Sequence, residues 1–161
     1  MIKSKDTALA ELTLRKYERP FKIKNRDLVS KLCLSVGLLQ PGDSRDVIVD
    51  VLYSLLLKKE LNSKQIEEEV IKIRKRHKLP MVGIASSNLR RQTRRLRELF
   101  LIEKVANNYR ITEKEKLHNI YKEKIESFLL KSIKERVGEY FAEIDKQFMT
   151  KKPKRKKKIN K

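Results

Sequence analysis

The sequence predicts a mainly α-helical fold carrying one small two-stranded hairpin. Two observations predict it. Apolar residues recur at steps of three and four along most of the chain, as helices with one buried stripe require. That rhythm gives way at LIEKVANNYRIT, residues 101–112, where two short extended runs flank Asn107-Asn108. Asparagine tolerates the positive φ that a tight hairpin turn needs.

The elements follow in order. Thr7 to Tyr17 is expected to be helical, with Leu9, Leu12 and Tyr17 inward. The alternation of Leu12 and Leu14 leaves a short strand as the alternative, and Pro20 ends either one. A helix from Asn25 to Val36 would be capped by Asn25, bury Leu28, Val29, Leu32 and Cys33, and stop at Gly37. Pro41-Gly42 fits the centre of a type II turn. The core unit starts at Asp43 or Ser44, and its first helix buries a broad face of Val47, Ile48, Val51, Leu52, Leu55 and Leu56. Asn62 or Ser63 caps the one after it. Its stripe is Ile66, Val70, Ile73 and His77, and Glu67 to Glu69 sit near its start, where the helix dipole favours acids.

A basic helix comes next. Ser86 or Ser87 can cap it, and Leu89, Thr93, Leu96 and Phe100 make its apolar stripe, with Leu99 at the edge. At about 100° per residue, Arg90, Arg91, Arg94 and Arg95 spread over the opposite side, with Arg97 on the flank. After the hairpin, Thr112-Glu113-Lys114-Glu115 reads as a capping box. It would open one long helix to about Gln147, with a stripe from Leu117 through Ile125 and Leu129 to Ile144 and Phe148 and a weak point at Gly138.

The order helix, helix, basic helix, hairpin, further helix resembles the winged helix-turn-helix DNA-binding superfamily of archaeal and bacterial regulators. NLRRQTRRLRELFLIEKVANNYRIT is similar to its third helix plus wing, where a leucine-rich basic helix ends just before an "LIE-x-V" strand. The resemblance covers roughly residues 43 to 130. It implies a winged core over 43–112; around it the residues predict an N-terminal helical extension over 1–42, a long C-terminal helix over 113–149 and, because like charges repel, a disordered basic tail over 150–161. One departure stands out: KLPMVGIA, residues 78–85, replaces the usual tight turn between the second and third helices.

Charge points the same way. The 161 residues carry a formal +20, and the last eleven, KKPKRKKKINK, hold eight basic residues and no acid. Removing eight from +20 leaves the body at +12. Such a field attracts polyanions. The chain has no apolar run long enough to span a bilayer, its start lacks a secretory signal core, and its single Cys33 cannot form an internal disulfide, so a cytoplasmic protein without a membrane partner is expected. Cys33 itself reads as a core residue.

Double-stranded DNA is therefore the expected partner, and transcriptional regulation the expected role. The candidate contacts are Ser87 and Asn88 at the helix start and Arg90, Arg91, Arg94 and Arg95 on its face. Lys104 and Arg110 would serve beside the hairpin, and Lys154, Arg155 and Lys156 in the tail. Arginine grips guanine edges or phosphates in bidentate fashion, and a helix fits the major groove. A tail of this kind would bind phosphates without reading sequence. An RNA- or ribosome-associated factor and a winged-helix protein–protein adaptor are the alternatives. The long last helix would either pair with its twin in a homodimer, through Tyr140, Phe141, Ile144 and Phe148, or fold back over the N-terminal helices. Enzymatic activity, a metal and a cofactor are not expected. His77 and His118 are the only histidines, and no glycine-rich phosphate loop or nucleophile elbow is present.

Overall fold

The computed structural model describes residues 5–149; the tail residues Lys154, Arg155 and Lys156 lie outside them. The elements are α1 (Asn25–Ser35), α2 (Val47–Lys58), β1 (Glu60–Asn62), α3 (Ser63–Arg76), α4 (Ser86–Glu98), β2 (Ile102–Val105) and β3 (Asn108–Ile111). A single 3-10 turn, Thr112–Lys114, leads into a last helix built of α5 (Leu117–Ile120), a π-helical stretch Tyr121–Leu130 and α6 (Lys131–Phe148). The fold is thus mainly helical with a small antiparallel sheet, as expected, but the sheet has three strands in the order β1-β3-β2. The unforeseen strand β1 pairs Leu61 with Tyr109.

α2 is the central helix. Val47, Ile48, Val49, Val51, Leu52 and Leu55 are all buried, because α1, α3 and α4 pack around it. Val29, Cys33, Leu38 and Leu39 share this core, so the N-terminal segment is packed as part of it. Burial pushes the Cys33 thiol up to about 12, which leaves it neutral and inert.

Several local expectations are corrected. Residues 7–17 are not helical. They form neither helix nor strand and run as an irregular strap in which Leu9 is 95% exposed and Leu12 half-buried. The strap is fastened by Arg15, whose backbone N–H donates to Ser35 O at 2.8 Å and whose guanidinium donates to Leu34 O at 2.7 Å. Asn25 does not cap α1; Lys24 holds that position and makes no side-chain capping bond. Leu28 is exposed, and Arg26 takes the buried place. The central helix begins at Val47, and Asp43 closes the turn before it. There Asp43 N–H donates to Gln40 O at 3.1 Å and Gly42 takes a φ of 77°. His77 ends α3 exposed, and Arg74 is buried instead. Asn62 does cap α3, in a reciprocal box with Gln65 at 2.9 Å in both directions.

No capping box forms at Thr112. Its hydroxyl donates to Phe100 O at 2.6 Å, and the last helix begins only at Leu117. The hairpin turn is shifted by one residue: Val105 faces Asn108, and the positive φ of 53° falls on Ala106. The last helix does not fold back. Ile120 and Ile125 enter the core and Leu129 packs against it, but α6 has no buried residue.

Gly37 shows how tightly the strap is seated. Its φ is 75°, and a Cβ there would lie 2.6 Å from Thr13 Cβ. Gly37→Ala is expected to cost about 1–3 kcal/mol, from left-handed strain plus the clash, and a urea titration of both proteins measures it.

Candidate nucleic-acid interface

α4 is amphipathic by construction. Leu89, Thr93 and Leu96 are buried, and Leu99 and Leu101 close the core beyond its end. Neither serine caps it. Ala85 is the cap residue, and no side chain bonds the free N–H groups of the first turn. Ser87 is exposed there, while Asn88 is committed inward. Its Nδ2 donates to Gly83 O at 2.6 Å, and its Oδ1 accepts from Gln92 at 3.1 Å.

The five arginines divide into two groups. Arg90, Arg91, Arg94 and Arg97 are exposed, and none forms an ion pair with a described carboxylate. Arg95 does not share that outer face. It is half-buried, donating to Leu38 O at 2.8 Å and to Gln92 Oε1 at 3.0 Å. The outward positions are therefore Arg90, Arg91 and Arg94, joined by Arg97 from the flank.

The hairpin residues also part company. Lys104 is exposed, its ammonium 5.6 Å from the centre of the Tyr109 ring. Arg110 Nε is bound to Glu103 Oε1 at 2.8 Å. Glu103 also accepts the Glu113 backbone N–H at 2.8 Å, and these two bonds hold its carboxyl below the usual carboxylate range. Arg110 thus balances a local acid.

The connection before α4 is longer than a tight turn, and a buried charge cluster fixes it. Asp50, fully buried on α2, accepts from Arg26 Nε at 2.7 Å and from Arg74 at 2.7 Å. Asp46 accepts from the same two arginines at 2.8 and 3.0 Å. Burial alone would raise the Asp46 pKa; the hydrogen bonds from Arg26 and Arg74 outweigh it and lower it. Arg74 Nε then donates to Pro80 O at 2.7 Å. So the acids of α2 fix Arg74, α3 grips the 77–85 loop through it, and Asn88 grips Gly83 at the far end. The start of α4 is set by these bonds. Sequence reasoning missed the cluster, although one acid in VIVDVLYSLLL and one arginine beside the stripe of α3 were its signal.

No family model, no curated protein and no solved structure matches this chain. Among the described residues no group of three His, Cys, Asp or Glu side chains could hold a metal ion, and no helix is long and apolar enough to cross a membrane.

Proposed function

We propose that this chain is a winged helix-turn-helix protein that binds double-stranded DNA and acts in transcriptional regulation. α4 would enter the major groove. Lys104 beside the hairpin, and the basic tail, would lie along the backbone. The observation that carries the reading is the free outer face of α4: Arg90, Arg91, Arg94 and Arg97 stand in solvent without a carboxylate partner among the described residues. A charge run that served only solubility would be expected to carry interspersed acids. Here Glu98 is the single acid on α4. Supporting it, the order of helices and hairpin is the one the resemblance implies, and the +20 charge supplies a long-range field for a polyanion. Regulation is argued from the architecture alone.

The test is a binding titration of the full chain against duplex DNA and duplex RNA between about 50 and 200 mM salt, with footprinting on genomic DNA. Tighter binding to duplex DNA and a discrete footprint are expected. Equal affinity for RNA overturns the DNA assignment in favour of an RNA or ribosome partner. No nucleic-acid binding near physiological salt leaves a protein–protein adaptor.

A further inference from the structure

No residue of α6 is buried and all but the half-buried Ile133 are exposed, yet its sequence is not that of a solvated helix. Val137 is 48% exposed, Tyr140 71%, Phe141 72%, Ile144 57% and Phe148 70%. Single apolar residues on a surface need no explanation, but a continuous stripe marks an interaction face. Leu130, Ile133, Val137, Tyr140 and Ile144 follow each other at steps of three, four, three and four. Those steps fit the a and d positions of two heptads, so the five side chains form one seam along the helix.

We propose that α6 pairs with α6 of a second copy of this chain, in antiparallel orientation. With Leu130, Val137 and Ile144 at heptad position a and Ile133 and Tyr140 at d, the flanking g positions are Arg136 and Glu143. Antiparallel packing sets a against d. Val137 then meets Tyr140 of the partner subunit, and Ile133 meets Ile144 of the partner subunit. In that register g faces g, so Arg136 lies opposite the partner subunit's Glu143, and the contact occurs twice by symmetry. A parallel pair would instead set g against e, leaving Arg136 beside the partner's Phe141 and Glu143 beside the partner's Phe148, with no ion pair between the copies. The two Arg136–Glu143 pairs thus favour the antiparallel arrangement.

The area suffices. Each aromatic ring buries about 150–250 Å² when covered, so three rings per copy remove on the order of 1,000 Å² before aliphatic side chains are added. That reaches the class of specific interfaces. The present partner of Arg136, Glu139 at 2.9 Å, is an exposed contact within one helix and is easily exchanged. The pairing stands whether or not α4 binds DNA.

Sedimentation equilibrium of the full chain tests it. A dimer is expected at micromolar concentration. Val137→Glu with Ile144→Glu should abolish it and leave the urea unfolding of the core unchanged, since neither side chain is buried. Arg136→Glu and Glu143→Arg should each weaken the dimer about tenfold, by turning two attractions into repulsions. Combining the two should restore it, which a parallel pair would not allow. A monomeric wild type, a dimer that survives the double glutamate change, or a charge-swapped double variant no better than the singles would each overturn the proposal.

Discussion

Replacing Arg91 and Arg94 together by alanine is expected to weaken duplex-DNA binding about ten- to a hundredfold near physiological salt while the fold stays intact. Both side chains are exposed and make no ion pair with a described carboxylate, so their removal should change stability by no more than about 0.5 kcal/mol. The salt dependence separates their roles. Each lost phosphate contact makes the slope of log K against log salt shallower by about 0.9, so two phosphate contacts predict a change of about 1.8. An arginine that grips a guanine edge instead costs about 1–3 kcal/mol and relaxes preference at one base position. Arg95→Ala provides the contrast. It leaves the Leu38 carbonyl without its donor, so it should lower stability by about 1–2 kcal/mol. Fluorescence anisotropy and urea titration of the two proteins distinguish these outcomes. Undiminished binding by the double variant would remove α4 from the interface.

The second large effect concerns the buried charges. Asp50→Ala should destabilise the protein by about 3–5 kcal/mol, because it strands the Arg26 and Arg74 guanidinium groups in the core with only Asp46 between them. Against a typical total of about 5–15 kcal/mol, that loss brings the protein close to unfolding. Arg74→Met alone should also be costly, since Asp50 would keep only the bonds from Arg26 and Pro80 O would lose its donor. The two changes together should cost less than their sum, because each already breaks the same contact. Urea unfolding of the four proteins measures this. A strictly additive result would show that the cluster is not one network.

These two sites differ in how far a reader of the sequence can find them. The helices over 47–58, 63–76 and 86–98 are legible because their buried stripes recur at helical spacing and nothing overrides them. The hairpin is legible from its two short extended runs. What escapes is set by tertiary partners. The strap over 7–17 contains enough leucine to suggest a helix, but Arg15 finds carbonyls at the end of α1, and that can be known only once α1 is placed. β1 is three residues long, too short to show a period, and exists because β3 lies beside it. Arg95 looks equivalent to Arg94 on a helical wheel. Only the passage of Leu38 beneath it makes one a structural anchor and leaves the other in solvent. The buried cluster demands knowing that Asp50 and Arg74, 24 residues apart, face each other.

The anchoring of Arg95 has a bearing on how α4 could meet a partner. The buried Leu89, Thr93 and Leu96 hold the helix on the core, and one guanidinium latched to a carbonyl on a different segment adds resistance to rotation about its axis. The angular phase of Arg90, Arg91 and Arg94 is therefore set before any encounter, and the ordering left to be lost is that of the exposed arginine side chains themselves.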